Sequence, residues 1–261
     1  DVPSVGATEN IMMAAVLAEG TTIIRNAAKE PEIVDLQNLL NKMGAKVRGA
    51  GTHIIHIEGV KSLHSAEHTV IPDRIEAGTH MIAAVMTEGD IVVENVVPEH
   101  ISPVIAKLRQ GGADIKIDGD SVRVKHQGKF KSLDVKTLAY PGFPTDLQPQ
   151  FLALLTIAEG TSIVSETIFE NRFQHVAELI RMGANITVEG RTAIIRGTSN
   201  LEGTFVEATD LRAGAALFLA ALAAEEGTVL ERVDHIDRGY EDLEEKYRTL
   251  GAKLQRVVKR G

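Results

Sequence analysis

The chain holds 261 residues, 44% hydrophobic and 25% charged, with a formal net charge of −8, a sequence pI of about 5.6 and a mean hydropathy near zero. That composition is ordinary for a globular protein, and the length is long for one hydrophobic core and comfortable for two. The acidic balance and scarce aromatics (4%, no Trp) argue against a nucleic-acid partner, and the lack of cysteine excludes disulfides and thiolate metal sites. A reducing cytoplasmic location is therefore permitted and expected; no apolar run is long enough to span a membrane, and nothing at the start reads as a signal peptide.

Four copies of one unit follow one another. The pair Glu-Gly closes an apolar run at Gly20, Gly89, Gly160 and Gly227. A second marker, Gly-Ala or its equivalent, follows at Gly44, Gly112, Gly183 and Gly251, with gaps of 24, 23, 23 and 24 residues. The units thus recur roughly every 70 residues, a spacing that marks a repeat architecture.

In chain order each copy begins with a capping residue and an apolar helix. Ser4 precedes "ATENIMMAAVLA", Asp73 precedes "RIEAGTHMIAAVM", Asp146 precedes "LQPQFLALLTIA" and Asp210 precedes "LRAGAALFLAALAA". Ser and Asp at an N-cap accept hydrogen bonds from the first unpaired amides, and helices apolar nearly all round are expected to be buried. The Gly of Glu-Gly is the expected helix stop.

A β-branched strand comes next ("TTIIRNA", "DIVVENV", "TSIVSET", "TVLERV"), then an amphipathic outer helix. Ser102-Pro103 reads as the cap and first residue of the second copy's outer helix, and another helix is expected to start near Tyr240. Two short strands close the unit, with Asp118-Gly119 offering a hairpin turn. The expected fold is α/β, in βαβαββ units with the first helix inside and the second outside.

The first copy lacks the strand expected before Ser4, and the last stops at "AKLQRVVKRG" without its second closing strand. Residues 72–261 are expected to form one domain of three units, and residues 1–71 the remnant of another. The linker 61–74 lies at the boundary. Because the chain opens on Asp1 rather than Met, it is expected to be a processed or truncated piece.

The stretches "SVGATENIMMAA", "KEPEIVDL", "FPTDLQPQ", "FENRF", "ATDLRA" and "HIDRGYE" run from one end of the chain to the other. In these the chain resembles the C-terminal portion of the UDP-N-acetylglucosamine 1-carboxyvinyltransferases, enolpyruvyl transferases of bacterial peptidoglycan synthesis. The resemblance implies six such units in two similar domains with an active site in the cleft between them. It implies transfer of the enolpyruvyl group of phosphoenolpyruvate to the 3′-hydroxyl of UDP-N-acetylglucosamine, with release of phosphate through a tetrahedral intermediate. No metal or organic cofactor is implied. Such chemistry needs a base for the hydroxyl, a proton donor for the methylene carbon, and cationic and dipolar groups for the anions. Helix N-termini supply part of the last requirement.

By the same resemblance Asp146 is the carboxylate that meets the sugar hydroxyl and acts as base. An exposed aspartate is a weak base at neutral pH, so burial or a neighbouring charge is expected to raise its pKa. Asp210 would lie near the reacting carbons, Arg212 on phosphoenolpyruvate, and Arg238 on a phosphate or carboxylate. Ser4, Val5 and Gly6 would meet the nucleotide diphosphate, and Ile168 the nucleotide sugar. Taken alone, Asp146 and Asp210 also read as plain caps, Arg238 as a loop arginine paired with Asp234 or Asp237, and Ile168 as core.

Asp73-Arg74 reads as structural or hinge-associated, and the histidine pairs His53/His56 and His64/His68 lack a metal-ligand pattern, so no metal is expected.

The family's Lys-Asn pair, further arginines and proton-donor loop lie in its N-terminal part, outside this chain. Groups that act together lose nearly everything when separated, so the chain alone is expected to turn over negligibly. Two other classes stay open: a binding-only sugar-nucleotide fragment, and an interaction protein that pairs through exposed strand edges with its missing N-terminal part or a second copy. A shikimate-type enolpyruvyl transferase is the rival within the same class.

Overall fold

A computed structural model describes residues 3–257 of the chain. Two compact units emerge: one runs to Asp73 and includes Thr137–Pro144, and the other holds Arg74–Lys136 and the chain from Thr145 onward. The short excursion 137–144 into the first unit carries no periodic signal in the sequence.

The first unit contains α1 (Val5–Ala15), β1 (Thr21–Arg25), α2 (Pro31–Lys42), β2 (Lys46–Arg48) and β3 (Ile54–Glu58). Its antiparallel sheet has the order β1-β3-β2. Ser4 caps α1, its hydroxyl accepting from the Ala7 amide at 3.2 Å. Met12, Ile33, Ile55 and Ile57 are wholly buried and form the centre of this core.

The expectation that α1 is buried all round is corrected here, because Ile11, Met13 and Leu17 are exposed. Met13 is 48% exposed, whereas the residues equivalent to it by the Glu-Gly spacing, Ile82, Ala153 and Ala220, are 0% exposed. Within its own unit α1 packs on α2, β1 and β3. It has no second inner helix there to cover its other side.

The second unit holds three copies. The first is α3 (Arg74–Met86), β4 (Asp90–Val93), α4 (Ser102–Gln110), β5 (Asp114–Asp118) and β6 (Ser121–Lys125). The next is β7 (Val135–Lys136), α5 (Gln148–Leu155), β8 (Thr161–Ser165), α6 (Val176–Arg181), β9 (Asn185–Glu189) and β10 (Thr192–Arg196). The last is β11 (Leu201–Glu202), β12 (Phe205–Glu207), α7 (Leu211–Ala223), β13 (Ala224–Glu225), β14 (Val229–Glu231), α8 (Asp234–Asp237) and α9 (Leu243–Thr249). Helices and strands interleave throughout, as the βαβαββ pattern requires. A leading strand precedes α5 and α7, pairing parallel with the strand that follows each helix. Residues 61–73, before α3, form none.

Sheet order repeats between copies: β4-β6-β5, and β7-β8-β10-β9. The hairpins close on Asp118↔Ser121 and Glu189↔Thr192. The two-residue loops are therefore Gly119-Asp120 and Gly190-Arg191, one residue later than the Asp118-Gly119 expected. A glycine with φ +59 opens each, a conformation that a side chain resists.

Helices α3, α5 and α7 pack on one another at the centre. All eight residues of α5 are buried. Fully burying a Leu or Phe side chain is worth roughly 1.5–3 kcal/mol, so Phe151, Leu152, Leu154 and Leu155 anchor this core.

All four Gly-Ala markers end outer helices in the same way. Gly44, Gly112, Gly183 and Gly251 lie between φ +89 and +111. In each case the glycine amide bonds back three residues and the following Ala amide five, as in Gly44 to Asn41 and Ala45 to Leu40, both 3.0 Å. This is the Schellman stop, and it needs a residue without Cβ.

Several local expectations are corrected. The inner helices end two to four residues before the Glu of Glu-Gly, which forms instead the turn into the strand. Gly20 and Gly160 take the left-handed conformation in two copies, and Glu88 and Glu226 in the other two. Ser102 makes no capping hydrogen bond, because a 3-10 turn over Pro98–Ile101 runs straight into α4. The helix expected near Tyr240 begins at Leu243. Residues 252–257 form no strand, and the remainder of "AKLQRVVKRG" lies outside the described residues.

Candidate active site

Asp146 does not cap α5. It lies in a 3-10 turn, Thr145–Leu147, and Leu147 precedes the helix without a side-chain cap. Its carboxylate is occupied elsewhere: Arg172 Nη2 donates to Oδ1 at 2.7 Å, and Arg212 Nη2 to Oδ2 at 3.0 Å. The turn is seated by Leu147, which packs where α3 has Gly78; an added methyl there would overlap the Leu147 and Ile101 side chains.

The second arginine arrives through α7. Asp210 is a true N-cap, accepting from the Arg212 and Ala213 amides at 2.9 Å each. The cap fixes the first turn, and the Arg212 guanidinium, 16% exposed, reaches Asp146. A cation in the first turn opposes the helix dipole, and the carboxylate offsets that cost.

Burial pushes the Asp146 carboxyl up, but Arg212 and then Arg172 outweigh it and hold it below the ordinary carboxylate value. The expected upward shift is therefore corrected: in this arrangement Asp146 is an ion-pair acceptor. Burial likewise opposes the charge on Arg212, and the Asp146 carboxylate and Tyr240 overcome it.

Tyr240 links the N-terminal halves of all three inner helices. Thr79 of α3 donates its own hydroxyl hydrogen to the Ile75 carbonyl, so at the 2.9 Å contact the Tyr240 hydroxyl is the donor to Thr79. Its oxygen then accepts from Gln150 Nε2 of α5 at 3.3 Å and from Arg212 Nη1 of α7 at 3.5 Å. Arg238 lies two residues before Tyr240 and is exposed. Its expected partners are taken: Asp237 by Arg256 at 2.6 Å, and Asp234 by Arg232 at 3.9 Å. Gly239 holds this loop against Leu211, beside Asp210 and Arg212.

Beside these groups lies a small open cavity of about 110 Å³ lined by Pro149, Asn171, Arg172, Gln174, His175 and Asp210. Burial pushes the His175 imidazole down to about 4, so it is neutral at pH 7. Ile168 is half-buried just after β8, its amide donating to Glu166 at 2.8 Å. Ser4, Val5 and Gly6 belong to the first unit, where Gly6 has open space around its Cα. Among the described residues no cluster of three or more potential metal ligands occurs. No helix there is long and apolar enough to cross a membrane.

Arg172, Tyr240, Glu166 and Thr145 were not assigned from sequence. Arg172 and Tyr240 fall inside the quoted stretches "FENRF" and "HIDRGYE", and Thr145 inside "FPTD". That location was the only available signal. Chemically the cluster joins one carboxylate to two guanidiniums, with a third, that of Arg238, exposed on the neighbouring loop. It can hold an oxyanion and, once an arginine shifts to that anion, free a carboxylate to accept a proton.

The family model described as EPSP synthase (3-phosphoshikimate 1-carboxyvinyltransferase) matches residues 1–247. The chain is 62% identical over 259 residues to "UDP-N-acetylglucosamine 1-carboxyvinyltransferase 2" of Carboxydothermus hydrogenoformans, covering 98% of this chain. It is 61% identical over 256 residues to "UDP-N-acetylglucosamine 1-carboxyvinyltransferase 1" of Caldanaerobacter subterraneus subsp. tengcongensis, again over 98% of the chain. It spans 62% of the length of each of these relatives. Among solved structures it resembles the enolpyruvyl transferase NikO from Streptomyces tendae, with a TM-score of 0.85, 30% identity, and coverage of 95% of this chain and 60% of that one. It shares the fold of EPSP synthase from Acinetobacter baumannii at a TM-score of 0.71 and 22% identity, with the same coverages.

Proposed function

Since the chain belongs to the EPSP synthase family of enolpyruvyl transferases, we propose that it is the C-terminal part of an enzyme that moves the enolpyruvyl group of phosphoenolpyruvate onto the 3′-hydroxyl of UDP-N-acetylglucosamine, releasing phosphate. The observation that carries this assignment is the pairing of Asp146 with Arg172 and Arg212 in a chain 62% identical to a UDP-N-acetylglucosamine 1-carboxyvinyltransferase. The names of the relatives favour the sugar nucleotide over a shikimate-type acceptor.

Asp146 is the proposed base for the sugar hydroxyl, with Asp210 near the reacting carbons. Arg212 and Arg238 are the proposed ligands of the phosphoenolpyruvate anion, and its arrival would draw Arg212 from Asp146 and restore the basicity of the carboxylate. Ser4, Val5, Gly6 and Ile168 are proposed contacts to the nucleotide sugar. The proton donor would come from chain outside these residues, so the chain alone is inactive. The exposed Ile11, Met13 and Leu17 support completion of α1 by such chain.

Phosphate release from phosphoenolpyruvate is the test, measured with the chain alone and with the N-terminal part of a relative supplied in trans. Activity only in the mixture, and only with UDP-N-acetylglucosamine as acceptor, is expected. Activity with shikimate 3-phosphate instead would overturn the acceptor. Binding of the sugar nucleotide by calorimetry without any turnover in the mixture would reduce the chain to a binding fragment.

A further inference from the structure

Glu166 follows β8 and is 1% exposed, yet both its oxygens point to residues that flank the proposed reacting groups. Oε2 accepts from the Thr145 hydroxyl at 2.8 Å. Oε1 accepts from the Ile168 amide at 2.8 Å and the Phe169 amide at 3.1 Å. The Thr145 oxygen in turn accepts from Arg172 Nη1 at 2.8 Å, while Nη2 of the same guanidinium holds Asp146. The Phe169 ring lies under that guanidinium, 4.6 Å from its carbon. The contacts close into a ring: Glu166 to Thr145, Thr145 to Arg172, Arg172 to Phe169, and Phe169 back to Glu166.

We propose that Glu166 is a positioning residue for this site, fixing the Asp146 turn through Thr145 and Arg172 and the Ile168–Phe169 segment through their amides. The role rests on the proposed function, in which Asp146 is the base and Ile168 a substrate contact.

Three features separate this role from mere core stability. First, the bonds have one workable direction. Arg172 can only donate, so the Thr145 oxygen accepts from it and its hydrogen goes to Glu166. A hydroxyl polarised this way binds the guanidinium more firmly than one facing solvent. Second, charge is matched: Glu166 and Asp146 stand against Arg172 and Arg212, with Tyr240 on Arg212 and a neutral His175 beside Arg172. Arg172 would otherwise be a partly buried cation with one counter-charge. Third, the ring joins three segments with no local reason to meet: the 145–147 turn, the end of β8, and the loop leading to α6. A base whose second carboxylate oxygen must be released to substrate needs its first held in place.

The test uses the 261-residue chain and needs no substrate. The Asp146 side-chain carboxyl carbon is followed by NMR as pH is lowered, in the wild type and in T145V, T145S and E166Q. In the wild type this carbon titrates below an ordinary aspartate. T145V removes the hydroxyl link with little change of shape, and E166Q removes the charge and one of the two acceptors. Both are expected to move the Asp146 titration upward as Arg172 disengages, while T145S keeps it at the wild-type position. An Asp146 titration unchanged in folded T145V overturns the proposal, whether or not E166Q folds. A failure of the proposed enolpyruvyl-acceptor role would appear separately, as absent sugar-nucleotide binding in a wild type whose Asp146 titration is still low.

Discussion

Arg212 and Asp146, 66 residues apart in the chain, meet through a single N–H···O bond of 3.0 Å that ties the head of α7 to the turn before α5. The two residues come from successive copies of one repeat. Their meeting converts a repetition of helix starts into a charged cluster.

Replacing Asp146 by Asn is expected to lower turnover by about 10²–10⁴ in the protein completed by the N-terminal part of a relative, the range for loss of a general base. The same change leaves two guanidiniums without a carboxylate. Inorganic phosphate should then bind the chain more tightly than it binds the wild type. Calorimetry with phosphate checks this, and equal or weaker binding by D146N would show that the arginines are not an anion site.

Tyr240→Phe deletes one oxygen from the junction of α3, α5 and α7. Thr79 and Gln150 are buried and would each lose a partner there. A cost of about 1–3 kcal/mol is expected, the typical penalty for stranding buried polar groups. Urea denaturation reads it directly, and a change below measurement error would rule out the junction as a source of stability.

Gly78→Ala adds a methyl where the Leu147 and Ile101 side chains already sit. Overpacking of this kind costs about 1–3 kcal/mol. Because Leu147 follows Asp146 directly, turnover should fall more than stability alone explains. A variant with lowered melting temperature but full activity would contradict the link between that seat and the carboxylate.

Acid should loosen α9 from α3. The hydrogen bond from His80, with help from Lys246, overcomes burial and lowers the Glu76 carboxyl to about 2. A depressed carboxylate contributes stability that is fully present above its unfolded value of 4.5 and is lost as pH falls toward 2. The contribution is on the order of 1–2 kcal/mol once solvent screening is allowed for. Stability measured from pH 5 to pH 2 should decline less steeply in E76Q than in the wild type; parallel curves would exclude Glu76 as a source of the acid sensitivity.

Arg256 should hold the loop that carries Arg238, since it bonds Asp237 at 2.6 and 2.8 Å and Glu244 at 3.0 Å, on either side of that loop. In R256A, hydrogen exchange at residues 238–242 is expected to rise about tenfold or more while the α5 amides stay protected. Unchanged exchange would mean that Gly239 packing on Leu211 suffices.

The repeat was legible because it rests on local rules. Apolar runs mark α3, α5 and α7, and a left-handed glycine must end each outer helix. Asp210 was readable as a cap for the same reason. Asp146 read as a cap too and is not one, although it stands at the same point of its copy, because its carboxylate is claimed by Arg172 and Arg212 from distant segments. No local rule announces that competition. Glu166 and Tyr240 were illegible for a related reason: Tyr240 acts through Thr79 and Gln150 of other copies, Glu166 through Thr145 on a separate segment of its own copy, and neither residue type marks a site by itself. The exposed side of α1 ran against its composition, because an apolar run states what should be covered and not whether a cover is at hand.

The recurrence of Gly44, Gly112, Gly183 and Gly251 in one backbone geometry gives the molecule its own internal control. One glycine-to-alanine change can be made at four sites that share the same local strain but differ in their surroundings. Differences among the four costs would then measure how strongly each copy leans on its neighbours.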